Sequence, residues 1–146
     1  MPESGRAVGV VVVTHGQLAA ELLNAAEMIV GDLPGFAAVS IGWHDDVTVA
    51  REAIAAAIER VQGRAGVLLL TDMFGGTPSN LGLTFLDTGK VEVVTGVNLA
   101  MLIKLARVSG DVDLLTVART LCEDGRAAIR VASELLRTRE TGDAAT

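Results

Sequence analysis

The chain has 146 residues, 12 Lys+Arg against 18 Asp+Glu, and a net charge of −6, which suits one domain, residues 1–146, built on a single core. The acidic balance and an aromatic content of 3% exclude a nucleic-acid binder, which needs phosphate attraction and stacking platforms, and a hydrophobic content of 50% excludes a disordered chain. The apolar runs at 7–13, 65–70 and 97–103 fall short of the roughly 20 residues that span a bilayer, and the lone Cys122 has no partner for an intrachain disulfide, so the expected location is the cytoplasm, without membrane insertion.

In chain order, residues 7–13 are apolar on both faces, as a strand inside a parallel sheet is. Thr14, His15 and Gly16 follow. Leu18, Leu22, Ala25, Ala26 and Ile29 then mark one face of a helix, which the Gly31–Gly35 segment breaks. Residues 36–41 form a second strand. Asp45 or Asp46 caps a second helix with Val47, Ala50, Ile54, Ala57, Ile58 and Val61 on one face. Residues 66–71 give a third strand. Thr77 as N-cap and Pro78 at the first helical position start a helix expected to reach about Leu86. Residues 91–95 are the fourth strand, and Asn98 caps a helix carrying Leu99, Leu102, Ile103 and Ala106. Beyond Gly110 the chain reads as helix over 113–122. After Gly125 the pattern leaves two readings open: Ala128, Ala132, Leu135 and Leu136 fit a helix, whereas Ile129, Arg130 and Val131 alternate like a short strand. The polar tail from about residue 138 is expected to fray.

Four successive βα units predict an α/β fold: a doubly wound, parallel four-stranded sheet of order 2-1-3-4 with helices on both faces. Ligands of such sheets bind beyond the carboxyl ends of the strands, where strand order reverses. The loops after strands one and three flank that point, so His15 and Asp72 are expected to face one another. An aspartate that takes a hydrogen bond from one ring nitrogen fixes the tautomer and leaves the other nitrogen as a nucleophile. The N–H groups of Gly16, Gln17 and Leu18 at a helix start favour anions, Gly75 and Gly76 let the backbone curl close to a ligand, and Thr77, Ser79 and Asn80 add donors. A nucleophilic imidazole among such donors suits a phosphoryl group held on histidine. Thr14, Gly16, Gly75, Gly76 and Thr77 are the expected phosphoryl-binding set. No lysine follows the glycines, so the loop is not a Walker A motif. The bland alternatives are a polar loop histidine and a turn-capping aspartate.

The segments V-V-V-T-H-G, L-L-L-T-D-M-F-G-G-T-P-S-N and V-T-G-V-N-L-A-M-L, in that order and spacing, resemble the enzyme IIA domain of the mannose-type (mannose/fructose/sorbose) sugar phosphotransferase system, over residues 8–129. The resemblance implies a phosphotransferase component that takes a phosphoryl group from phospho-HPr onto His15, at Nε2, and passes it to a IIB partner. By the same resemblance Asp72 orients His15, Thr77 meets the phosphoryl group, and no metal or cofactor takes part. It also implies a homodimer that exchanges a short strand after the last helix, which favours the strand reading of residues 129–131 as a fifth, antiparallel strand. Many relatives continue into a IIB domain. This sequence ends at Thr146, which puts the expected acceptor on another chain. The alternative is a stand-alone regulatory IIA whose phosphorylation state signals to another protein; a small nucleotide- or metabolite-binding α/β domain is a third reading.

Trp43, His44, Asp45 and Asp46 follow the second strand on the rim of the site, as an ordinary loop or with Trp43 at a docking edge. Met73 and Phe74 read equally as partner contacts or as core. Cys122 reads as a buried small hydrophobe, and Arg126, Arg130, Arg137 and Arg139 as a solvated helix face.

Overall fold

The computed structural model describes residues 5–140. Its centre is β1 (Gly9–His15), where four consecutive valines are fully buried. β-Branched side chains suit the pleated surface, and burial on both faces explains the absence of alternation. β2 (Phe36–Ile41), β3 (Val67–Thr71) and β4 (Val91–Thr95) complete a four-stranded parallel sheet of order β2-β1-β3-β4, as the sequence predicts. The register pairs Val13 with Val39 on one side and with Thr71, the last residue of β3, on the other, so β1 runs two residues past the end of β3.

The alternation of β1 sorts the helices. Val8, Val10 and Val12 face α1 (Leu18–Val30), α4 (Leu99–Ala106) and α5 (Leu114–Ala127), together with Leu68, Leu70, Leu102 and Leu121. Val11 and Val13 face α2 (Val47–Arg60) and α3 (Thr77–Leu83), together with Ile54, Ile58, Leu69 and Leu81. Gly9 lies on this second side, against the end of α2. A Cβ there would meet the Val61 carbonyl oxygen at 1.7 Å, so the close approach requires glycine.

Caps explain most helix starts. Asp46 accepts from Thr48 N–H (2.7 Å), Asn98 from Met101 N–H (3.1 Å) and Asp113 from Thr116 N–H (3.0 Å). Thr116 adds its hydroxyl and holds the Asp113 carboxyl below the usual carboxylate range.

Two helices depart from the expected bounds. The helix after the Gly-Gly pair begins one residue early, with Gly76 rather than Thr77 as N-cap, and it ends at Leu83 rather than Leu86. Its last turn tightens: Thr84 and Phe85 N–H groups reach back three residues to Leu81 and Gly82 carbonyls, and the Thr84 hydroxyl also donates to Leu81. α5 does not stop at Cys122 but runs through Gly125 to Ala127. A Cβ at Gly125 would meet Met101 Sδ at 2.8 Å, so this mid-helix glycine marks a close approach of α5 to α4. Residues 129–131 then form neither helix nor paired strand among the described residues, and α6 (Ala132–Glu140) follows. The tail expected to fray from about 138 is helical to Glu140; its remainder, 141–146, lies outside the described residues, as does the Arg139 side chain. Among the described residues no helix is long and apolar enough to cross a membrane.

Candidate functional site

The last residue of β1 is His15, and the first residue after β3 is Asp72. β1 and β3 are adjacent parallel strands, and the two-residue extension of β1 past β3 brings His15 beside Asp72. Asp72 Oδ2 accepts from the His15 backbone N–H at 2.9 Å and lies 2.8 Å from His15 Nδ1. Oδ1 accepts from Met73 N–H at 3.0 Å. An ionised carboxylate only accepts, so in the neutral imidazole Nδ1 carries the proton and Nε2 keeps its lone pair. Burial alone pushes the Asp72 carboxyl up; the hydrogen bonds from the His15 backbone and ring, and attraction to the imidazole, outweigh it, and the net pKa is lowered. The Asp72 side chain is 13% exposed and that of His15 is 52% exposed, so the carboxylate is sheltered while the imidazole is accessible.

Nε2 points toward Gly76. A Cβ built on Gly76 would stand 3.1 Å from Nε2 and 3.2 Å from Cε1, and the residue has φ +88°. Glycine here keeps the space at Nε2 open and also permits the positive-φ turn into α3. His15, Gly16, Gly76 and Thr77 line a cavity of about 620 Å³, whose other wall is Ile41, Gly42, Trp43, Asp45 and Val47. The cavity is therefore shared between three strand ends.

Of the expected phosphoryl-binding set, the structure brings Gly16, Gly76 and Thr77 to the cavity beside His15. Gly75 is next to it, with φ +96° and no atom within 4 Å of where a Cβ would stand. Thr14 departs from the expectation: it is fully buried, and its Oγ1 accepts from Ala19 N–H at 2.7 Å. As an even-numbered residue of β1, its side chain points to the α1 face, where it caps α1, while His15 points to the α3 face. The Gly16 N–H is likewise engaged, donating to the Ile41 carbonyl at 2.8 Å. Ser79, expected to add a donor, is fully buried in α3. Ile41, Gly42 and Val47 carry no chemical signal in the sequence, because they are ordinary strand-end and helix-start residues; only the predicted rim position of the β2–α2 loop points to them.

Trp43 is 97% exposed, and Met73 and Phe74 are also in water, so neither of the last two is core. Arg126, Arg130 and Arg137 are exposed, and Cys122 is half-buried against the α4–α5 side of the core. Among the described residues no three His, Cys, Asp or Glu side chains come together as metal ligands. A second cavity, about 530 Å³, lies between the end of α4 and the start of α5, and its lining contains no histidine or cysteine.

Residues 9–120 match the family described as "PTS system fructose IIA component". The chain is 33% identical over 103 residues to the mannose-specific EIIAB component of the Escherichia coli phosphotransferase system, a match that covers 66% of this chain and 30% of that protein. It is 25% identical over 137 residues to the fructose-specific EIIA component of Bacillus subtilis, covering 93% of this chain and 94% of that one. Among solved structures, the mannose/sorbose-specific IIA subunit from Enterococcus faecalis superposes with a TM-score of 0.75 at 31% identity, covering 84% of this chain and 92% of that one.

Proposed function

The chain belongs to the family of fructose- and mannose-type IIA components of the sugar phosphotransferase system, and from that premise we propose that it is a phosphohistidine carrier: His15 accepts a phosphoryl group from phospho-HPr and passes it to a IIB component. The observation that supports this most is the Asp72 Oδ2–His15 Nδ1 contact at 2.8 Å, with Nε2 open to the cavity beside Gly76.

In the accepting step the Nε2 lone pair forms the new N–P bond while the N–P bond on the donor histidine breaks. The electron pair of that bond returns to the donor nitrogen, which becomes a neutral imidazole. His15 keeps its Nδ1 proton and becomes a phosphorylated imidazolium, so no proton changes hands. The positive charge that grows on the ring develops against the Asp72 carboxylate, which is already held in place by two backbone N–H groups. Positioning and charge stabilisation, rather than acid–base chemistry, lower the barrier. Thr77, in the first turn of α3, and the backbone at Gly16 and Gly76 border the phosphoryl group. Thr14 acts on this reading from behind, by fixing the β1–α1 turn.

On this reading the chain is a cytoplasmic component acting with protein partners. A homodimer is part of the same reading: Ile129, Val131, Leu135 and Leu136 are exposed, and β4 is an edge strand that a partner's residues 129–131 can extend. The carrier role is tested by charging the protein with phosphoenolpyruvate, enzyme I and HPr, removing the donors, and adding a mannose-type IIB protein. Phosphate moving from this chain to IIB is the expected result. A phosphorylated form that no IIB discharges contradicts the carrier role and favours a regulatory one.

A further inference from the structure

The only Trp of the chain and one of its three Phe stand in water on the face that carries His15, with Trp43 97% and Phe74 76% exposed. Scattered exposed apolar residues are ordinary, but rigid aromatics grouped around a reactive group are what the centres of protein interfaces use. Trp43 is not held by the core. Its loop is shaped from below instead: Asp45 Oδ2 accepts from Gly42 N–H at 2.6 Å, and Asp46 caps α2. The turn is thus built to present the indole outward beside the cavity.

Charge in the loops around His15 has one sign, and Arg126, at the end of α5, stands at the far edge of the sheet beside the β4–α4 loop. The four loops leaving the carboxyl ends of the strands, residues 16–17, 42–46, 72–76 and 96–98, contain Asp45, Asp46 and Asp72 and no Lys or Arg. The loops at the other end carry both signs, Arg64, Lys90 and Arg107 among them. A face with an apolar centre and an acidic rim attracts a partner with the opposite rim and suppresses like-charged ones. The cavity, at about 620 Å³, is also far larger than one phosphoryl group requires, and its wall away from His15 includes Ile41, Trp43 and Val47. Left to water, that wall would expose a phosphohistidine to hydrolysis; filled by an apolar side chain, it excludes the competing nucleophile.

Building on the carrier reading above, we propose that the β2–α2 loop, with Trp43 as anchor, is the seat of the phosphoryl-donor protein, and that the donor presents an apolar side chain flanked by basic residues next to its phosphohistidine. The acceptor must reach the same Nε2, so the donor has to leave. A seat made of one loop and one aromatic anchor meets that need better than a broad interface.

The test is steady-state phosphoryl transfer from phospho-HPr to the wild type, W43A and W43F, with each fold checked by circular dichroism. W43A is expected to raise KM for phospho-HPr at least fivefold with a smaller change in kcat, and W43F to restore most of the loss. The KM of the wild type is expected to rise with salt. In parallel, titration with a tryptophan-free HPr is expected to shift the Trp43 emission to the blue as the indole leaves water. A W43A KM within fivefold of the wild type, or an emission spectrum unchanged at saturating HPr, overturns the proposal while leaving the carrier function intact. A wild type that phospho-HPr never phosphorylates overturns the carrier reading itself.

Discussion

Two hydrogen-bonding groups of His15, its backbone N–H and its Nδ1, meet one oxygen of Asp72. This arrangement fixes the ring by main chain as well as side chain, so the position of Nε2 depends little on rotamer freedom. Asp72→Asn keeps the size but removes the charge and lets an amide N–H face Nδ1, which favours the wrong tautomer. By analogy with carboxylates that orient metal-bound histidines, acceptance of phosphate is expected to slow about 10- to 100-fold, measured from the initial rate with phospho-HPr. The same substitution has a pH signature. The folded-state pKa of Asp72 is lowered, so its contribution to stability is present above the unfolded value of about 3.9 and is lost as pH falls through the folded value. Urea midpoints of wild type and D72N are therefore expected to differ more at pH 7 than at pH 3. At Gly76 the constraint is spatial. Gly76→Ala puts a methyl 3.1 Å from Nε2 and costs about 1–3 kcal/mol for an alanine at φ 88°, ψ 171°, a region essentially reserved for glycine, so phosphate acceptance is expected to fall in a protein that still melts cooperatively. The pairing of His15 with Asp72 is legible in the sequence, because the loops after strands one and three must adjoin in a 2-1-3-4 sheet. The role of Thr14 is not. Which face a residue at a strand end takes depends on where the strand ends, and β1 ends at His15 rather than at the expected residue 13, so Thr14 lies inside the strand instead of in the loop.

At the scale of elements, the β1–α1 turn and the β3–α3 turn are stabilised by different means. α1 has no side-chain cap from Gln17; Thr14 reaches across from the strand and takes the Ala19 N–H. Thr14→Val keeps the shape and leaves that buried donor unpaired. The expected loss is about 1–2 kcal/mol in urea unfolding, with a smaller effect on phosphate acceptance than Asp72→Asn. α3 needs no side-chain cap because the Gly76 backbone makes the turn and the Asn80 N–H closes on the Gly76 carbonyl at 2.9 Å. Thr77-Pro78 is a strong start signal, and it misplaces the cap by one residue because Gly76 performs the same turn without a side chain. Gly125 misleads for a related reason. A glycine in a helical pattern reads locally as a stop, whereas here it answers a contact with Met101 that only the packing of α4 on α5 creates.

The whole molecule explains the composition. A sheet covered on both faces needs strands without polar alternation, and β1 and β3 alone bury Val10 to Val13 and Leu68 to Leu70 completely. The high apolar content therefore belongs to two core layers. Periodicity makes the βα order and the fold class readable, since strand runs of five to seven residues and capped helices are local signals. Residues 129–131 and α6 read ambiguously because their apolar side chains, Ile129, Val131, Leu135 and Leu136, are exposed, so no burial against the core selects helix or strand. The acidic character of the loops around His15 follows from the same architecture, which gathers four βα loops with three aspartates and no Lys or Arg at the carboxyl ends of the strands. The most direct test of phosphoryl transfer through His15 is the intact mass of wild type and His15→Ala after incubation with phosphoenolpyruvate, enzyme I and HPr. The wild type is expected to gain one acid-labile phosphoryl group and His15→Ala none. Phosphorylation of His15→Ala at the wild-type rate would contradict a carrier built on this histidine.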